Sequence, residues 1–462
     1  MKPARLLAAL VALSFSACVS LGPRYRRPQL PLPPAYSEGG SEEAIPDAWW
    51  SLFDDPALDR LVAEALSANQ DLALAAARVE EARALAGLAD ADRWPQLSLS
   101  AEVSRSKLSA ETSHLPPGIP LENSRFRVAP TVSYEVDFWG RLRQLSAAAR
   151  AELLASEEGR RNVRLAVAAD VAAAYFDLVA FDRQLAIARE TLRSRQESAR
   201  LQRVRFEAGT ISGLALAQAR AELASAESTV PVLERQGRQT ENRLAVLLGR
   251  TGGTTERAFG LDALASPPVP VGLPSELLVR RPDLLAAEQR LIAANARIGA
   301  ARAAYFPAIA LTGAAGSESA QLASLLTSGT GIWQAAVSLV QPIFNAGRTR
   351  RQVQATRARE RQELAVYTRA VQSAFAEVED ALVARRTSAA EREALGRQVA
   401  ELGSARRLAL LRYQGGDASY LEVLDAERSL FRAELDLTAA RRDELTASVN
   451  LFSALGGGWE KP

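Results

Sequence analysis

Residues 94–107 read WPQLSLSAEVSRSK and residues 126–139 read FRVAPTVSYEVDFW. In the first stretch, Leu97, Leu99, Ala101 and Val103 alternate with Gln96, Ser98, Ser100, Glu102 and Ser104. In the second, Phe126, Val128, Val132, Tyr134, Val136 and Phe138 alternate with Arg127, Thr131, Ser133, Glu135 and Asp137. A period of two puts each set on its own face of a strand, so both stretches have one continuous apolar face and one polar, partly charged face. Each runs for about ten residues, the length that a tilted strand needs to cross an outer membrane. A soluble hairpin packed on helices would alternate in the same way, so the surrounding sequence has to decide.

The surroundings are helical. Residues 57–93 are rich in Ala, Leu, Arg and Glu with helical periodicity, and Pro95 stops them. From Arg141 to Ala208 there is no Pro and only Gly159 as a weak helix former, which gives about 100 Å of helix at ~1.5 Å per residue. A helix of that length is the wall of a coiled coil or barrel, not a core helix. A turn at Gly209 ends it, and a helix over 213–249 follows, with a kink expected at Pro231.

The plan then repeats. Asp71, Arg78, Gly87, Pro95 and Leu99 meet Asp283, Arg290, Gly299, Pro307 and Leu311 at a spacing of 212 residues. Gly140-Arg141, the run Arg205 to Gly209, and Leu248-Gly249 meet Gly347-Arg348, Arg412 to Gly416, and Leu455-Gly456 at a spacing of 207. The halves are 57–249 and 275–456, joined by a Gly/Pro/Thr-rich linker at 250–274 and followed by a tail at 457–462. The second half has a weaker hairpin, with Ile309 and Leu311 on one strand and Trp333, Ala335, Val337 and Leu339 on the next. Trp94, Phe138, Trp139, Tyr305, Phe306 and Phe344 sit at the helix–strand junctions; corner packing would put them there too, but their recurrence in both halves favours an interfacial girdle. Helices 57–93 and 213–249, stacked end to end, match the long helix between them; 275–304 with 419–455 match 348–414. Residues 39–56, the linker and the tail then emerge together as a belt of irregular structure.

The ends and the composition narrow the function. Residues 1–17 have a basic start (Lys2, Arg5) and a short apolar core, a secretory signal. Cys18 follows Ser16-Ala17 in the lipobox position, with Phe15 where Leu is usual, and is expected to be lipidated. Residues 18–56 form a Pro-rich tether leading into the belt. The chain of 462 residues has 56 basic and 54 acidic groups, and removing residues 1–17 leaves 54 of each, so no nucleic-acid partner is expected. His114, Cys18 and Met1 are single, which excludes His/Cys zinc sites and internal disulfides and leaves no residue inventory for a hydrolytic triad. No enzyme activity, cofactor or metal is expected. The fold class is mainly α with a small β part. Four strands per chain cannot close a membrane barrel, so strands must be pooled among chains; two copies give eight and three give twelve.

The segments 49–83 (WWSLFDDPALDRLVAEALSANQDLALAAARVEEAR), 306–313 (FPAIALTG), 412–431 (RYQGGDASYLEVLDAERSLF) and 21–33 (LGPRYRRPQLPLP) together resemble the TolC superfamily of outer-membrane efflux ducts, in its NodT/OprM-type lipoprotein branch. The resemblance covers essentially the whole mature chain. It implies a homotrimer with a 12-stranded barrel in the outer membrane and a 12-helix barrel in the periplasm. It also implies docking to a periplasmic adaptor and an inner-membrane transporter of the resistance-nodulation-division type. The function implied is passive export of drugs or other small molecules. A type I protein-secretion duct and a structural coiled-coil envelope lipoprotein are the alternatives. Under this reading the turns Gly209-Thr210 and Gly415-Gly416 face the adaptor, and Asp417 with Arg412, Tyr413 and Tyr420 closes the periplasmic tip. Labelled palmitate fed to cells is expected to enter the protein and to be lost in Cys18→Ser; equal labelling of both would refute lipidation.

Overall fold

The computed structural model describes residues 21–36, 45–112, 116, 120–269 and 276–458. The signal stretch, Cys18, His114 and parts of the belt, hairpin loop, linker and tail lie outside them. The elements are α1 (Pro56–Ala68), α2 (Gln70–Ala91), β1 (Gln96–Lys107), β2 (Glu122–Glu135), α3 (Arg141–Glu207), α4 (Gly213–Leu247), α5 (Leu277–Arg280), α6 (Pro282–Ala303), β3 (Ala308–Ser319), β4 (Gly331–Val340), α7 (Arg348–Gly415) and α8 (Tyr420–Ala454). The long helices α3 and α7 have 67 and 68 residues, each within one residue of the length read from the sequence. The four strands form one antiparallel sheet in the order β1-β2-β3-β4. The second hairpin is nearly as long as the first, with ten residue pairs from Ala308–Val340 to Ser317–Gly331 against twelve between β1 and β2. Its small residues hid the alternation.

The chain divides into two compact units that cut across the repeats. One holds Val79–Ser156, Ala287–Tyr367 and the stretch up to Gln29; the other holds Leu30–Arg78, Glu157–Ala286 and Thr368–Pro462. The first contains the sheet. Its tether residues are extended, as expected, yet they are docked. Arg27 donates two hydrogen bonds to the Glu288 carboxylate on α6 (2.7 and 2.5 Å), and the Tyr25 hydroxyl adds a third at 3.0 Å.

The second unit carries the belt. Trp49 and Phe53 are buried, Trp49 stacked on Phe452 (5.2 Å between centroids) and Phe53 tilted against Phe176 (4.9 Å). Asp55 caps α1 by accepting from the Ala57 and Leu58 amides (2.7 and 3.3 Å), while its other oxygen accepts from the buried Tyr175 hydroxyl at 2.6 Å. The linker joins the same region, for Arg441 donates to the Leu264 carbonyl at 2.5 Å and Arg385 to the Pro267 carbonyl at 3.0 Å. The helices pair antiparallel here: Arg189 and Asp177 of α3 meet Glu234 and Arg243 of α4 at 2.7 and 2.9 Å.

Two helix readings need correction. Residues 57–93 are not one helix; they break at Asn69, whose side-chain oxygen caps α2 through the Asp71 and Leu72 amides (2.8 and 3.2 Å). Asn69 Nδ2 also donates to the Leu247 carbonyl at the end of α4, at 2.8 Å. So α4 meets α2 end to end, and α1 stands outside that stack. The second half breaks likewise at Arg281, whose guanidinium donates to the Ala454 carbonyl of α8 at 2.9 Å, just before α6. Asn69 and Arg281 are 212 apart, and Leu247 and Ala454 are 207 apart, so the same junction is built twice with different side chains. The stacks α2 with α4 (22 and 35 residues) and α6 with α8 (22 and 35) are shorter than the lengths expected from the sequence. Helix α4 runs unbroken through Pro231.

Gly249 closes the first junction with φ +70°, and a Cβ there would stand 2.4 Å from the Ala68 carbonyl oxygen. Gly249→Val is therefore expected to cost about 2–4 kcal/mol from a left-handed β-branched residue and the clash. Asn69→Ala should cost about 1 kcal/mol for the lost cap. Thermal midpoints of the purified protein check the order; wild-type melting of Gly249→Val would contradict this junction.

Candidate functional site

The strand register merges four alternations into one surface. Leu97, Leu99, Ala101 and Val103 lie opposite Val132, Pro130, Val128 and Phe126. Tyr134 and Val132 lie opposite Leu311 and Gly313. Ile309, Leu311, Gly313 and Ala315 lie opposite Leu339, Val337, Ala335 and Trp333. This face is exposed in the protomer, with Leu97 at 76% and Trp333 at 81%. Apolar surface of that extent is not left in water. The reverse face carries Ser98, Ser100, Glu102, Arg127, Thr131, Ser133, Thr312, Glu318, Gln334 and Ser338 between small residues. Arg125 and Arg127 approach Glu318 at 3.5 and 3.8 Å. The β2–β3 ladder is interrupted beside Pro130, which has no N–H to give.

At the helical end of the sheet, β2 stops at Glu135, earlier than its alternation suggests. Asp137 instead turns back to accept from the Leu142 and Arg143 amides (3.0 and 2.8 Å), where an anion suits the start of α3. Arg141 clamps Glu135 with two bonds of 2.8 and 2.6 Å. The girdle reading holds for only some of the junction aromatics. Trp139 stacks on Phe306 (4.5 Å) and donates to the Pro307 carbonyl at 2.8 Å, with Phe138 edge-on to it, which is corner packing. Trp94, Tyr305 and Phe344 are exposed, as an interfacial girdle requires.

In the other unit, the two helix-hairpin turns share one geometry. Gly209 and Gly416 have φ of 73° and 87°, and the Thr210 and Asp417 amides reach back to the Arg205 and Arg412 carbonyls at 2.9 Å each. Their chemistry then differs. The Thr210 hydroxyl also donates to the Arg205 carbonyl (2.8 Å), so it is engaged with its own helix. The Asp417 carboxylate is exposed and has no partner among the described residues. Arg412 does reach a carboxylate across the hairpin, but it is that of Glu422 (3.2 Å); toward Asp417 it finds only the backbone carbonyl, at 3.2 Å. Glu422 also forms the capping box of α8 with Ser419. The Tyr413 hydroxyl accepts from Arg205 and from Gln202 (3.2 Å) on α3, and its ring lies 5.5 Å from that of Tyr420. Burial pushes the Tyr420 phenol above its ordinary value. The four residues expected at the tip therefore gather, with Arg205, Gln202 and Glu422 added.

A buried ionic cluster was not expected. Arg195 on α3 is 4% exposed and reaches Glu427 on α8 at 2.7 Å and Glu222 on α4 at 3.7 Å. Arg428 of α8 pairs with Glu222 (2.5 Å), and Arg406 of α7 approaches Glu427 at 3.8 Å. Five charged groups thus join four helices. A cavity of about 130 Å³ beside them is lined by Arg183, Glu190, Arg406 and Glu434, among others. Burial, with Glu190 nearby, raises the Glu434 carboxyl. Under the 207 spacing Glu427 matches Arg220 and Glu222 matches Ser429, so the repeat does not mark the cluster. No helix among the described residues is long and apolar enough to cross a membrane, and no carboxylate, His or Cys group among them is arranged to hold a metal.

The outer membrane efflux protein family model matches residues 61–250 and 273–457. The cation efflux system protein CusC of Escherichia coli O6:H1 is 39% identical over 471 residues, covering 100% of both chains. The solvent efflux pump outer membrane protein SrpC of Pseudomonas putida is 38% identical, covering 97% of each. The crystal structure of the Campylobacter jejuni CmeC outer membrane channel superposes with a TM-score of 0.90 at 27% identity, over 96% of both chains.

Arg195 is the group whose loss the four helices should feel most. Arg195→Met leaves the Glu427 carboxylate, 13% exposed, with only Arg406 at 3.8 Å and is expected to cost about 3 kcal/mol. Arg195→Met with Glu427→Met should recover much of that. The comparison is of thermal midpoints, and a single variant that melts like wild type would show that the cluster holds nothing.

Proposed function

The chain belongs to the outer membrane efflux protein family, and from that premise we propose that it is the outer-membrane duct of a tripartite efflux pump. The observation that carries this reading is the four-stranded sheet with a continuous exposed apolar face, a polar reverse face and two open edges, at β1 and β4. Lipid covers the apolar face, and copies of the chain close the edges. Three copies give a 12-stranded barrel whose polar faces line a water-filled passage. The helices α2 to α4 and α6 to α8 continue the passage through the periplasm as a 12-helix barrel. Lipid on Cys18 anchors the mature N-terminus to the membrane. A structural coiled-coil lipoprotein would have no use for the sheet.

Conduction is passive. The passage offers Ser, Thr, Gln and a few balanced charges. With no Met after Met1, and His114 and Cys18 single, the chain has no soft relay for a metal cargo. The duct need not bind its cargo, which is chosen upstream by a transporter of the resistance-nodulation-division type that reaches the duct through a periplasmic adaptor. The turns at Gly209-Thr210 and Gly415-Gly416 meet that adaptor. The resting tip is held by Tyr413 against Arg205 and Gln202 within the protomer, while the free Asp417 carboxylate is available to the neighbouring chain. Hydrogen bonds of this kind are worth about 1 kcal/mol each, so one per protomer sums to about 3 kcal/mol over three copies, within reach of a docking adaptor.

The solubilised protein should run as a trimer and conduct ions in a planar bilayer. A conducting monomer would refute the architecture. Asp417→Ala with Tyr413→Phe should raise single-channel conductance and sensitise cells to large antibiotics such as vancomycin, with Thr210→Ala far better tolerated. An intact double-variant trimer that conducts like wild type would place the gate elsewhere.

A further inference from the structure

The apolar face of the sheet does not end the same way on its two hairpins. Along β1 the alternation that carries Leu97, Leu99, Ala101 and Val103 also carries Arg105 and Lys107 onto that face. Their neighbours on β2 change with them, since Phe126 opposite Val103 gives way to Ser124 and Glu122 opposite Arg105 and Lys107. This is the end of the hairpin remote from the helices. Arg105 lies 2.8 Å and Lys107 3.5 Å from the Glu122 carboxylate, and the two side chains remain 75% and 70% exposed. One carboxylate shared by two cations leaves a positive charge at the strand ends, while Glu111, the other carboxylate of this hairpin end, lies in the loop beyond and makes no ion pair among the described residues. The second hairpin has nothing similar: on the same face it ends in Ser317, Ser319 and Gly331, and residues 320–330 carry no charge. Lys107 is also the only Lys among the described residues, in a chain that otherwise uses Arg.

Hydrocarbon excludes such groups, while the headgroup level accepts them. Cations at the outer rim of an apolar band fit an anionic headgroup whose acyl chains lie along Val103 and Phe126. Free phosphate would gain nothing from that band. We propose that the outer end of β1–β2 binds the phosphates of a phosphorylated glycolipid in the outer leaflet, one site per protomer. Arg105 supplies a planar fork for phosphate oxygens, Lys107 a compact charge, and Glu122 holds both in place while limiting the affinity. The proposal rests on the membrane reading of the sheet.

The test titrates the solubilised protein with bisphosphorylated lipid A, or with its dephosphorylated form, and counts bound lipid by native mass spectrometry. Each cation at an anionic surface is worth about five-fold in affinity, so Arg105→Gln with Lys107→Gln should bind about 25-fold more weakly than wild type. Glu122→Gln should bind about five-fold more tightly, and inorganic phosphate should not compete. Equal binding by wild type and the double variant, or equal binding of the dephosphorylated lipid, would overturn the site. Neither result touches the duct, because trimer mass and conductance are read on the same samples. Failure of those in wild type would strike the membrane reading instead.

Discussion

A strand edge cannot stay open in hydrocarbon, and this chain has two. Each unpaired N–H or C=O there costs several kcal/mol, with no water to take it up. Within one protomer β1 and β4 have a neighbour on one side only. The apolar face makes the sheet unsuitable for water, and the open edges make a lone copy unsuitable for lipid. Association is thus a condition of the fold, and a passage lined by the polar face follows from it. The helices accept the consequence at the corners. Asp137 and the Arg141–Glu135 clamp hold strand direction to helix direction, so the ring of strands imposes its geometry on α3.

The internal repeat shows which features are geometry and which are chemistry. Asn69 and Arg281 do one job, linking the end of one helix to the start of another, with an amide in one half and a guanidinium in the other. Both offer a donor that reaches a terminal carbonyl, and that is what the two positions have in common. The turns at Gly209 and Gly416 likewise share backbone bonds. Where the halves diverge, the constraint is different. Thr210 completes its helix, whereas Asp417 leaves a carboxylate free at the surface; the Arg195 cluster exists only because α4 and α8 carry unlike residues at matched positions.

Much of this was legible in the chain because it is periodic or punctuated. Alternation from Leu97 to Val103 reports a two-faced strand, uninterrupted helix formers from Arg141 to Ala208 report a long helix, and the glycines report its end. What repeats at two spacings must fold twice. The second hairpin was harder to read because Ala and Gly are weak markers of a face. The break at Asn69 was invisible, because Asn between Ala and Gln is tolerated inside a helix and only the Leu247 carbonyl makes it a cap.

Tertiary structure alone decided the partners. Arg412 stands five residues before Asp417, a distance that allows a carboxylate contact, yet the hairpin delivers it to Glu422. The tether reads as free chain, yet Glu288 on a distant helix captures Arg27. Arg195 looks like any Arg on a long helix until four helices close around it. Periodicity is a property of neighbours along the chain, so the sequence determined the elements, their faces, their duplication and the need for more than one copy. An ion pair is a property of neighbours in space, separated here by up to about 260 residues, and no local pattern encodes which charge will be met.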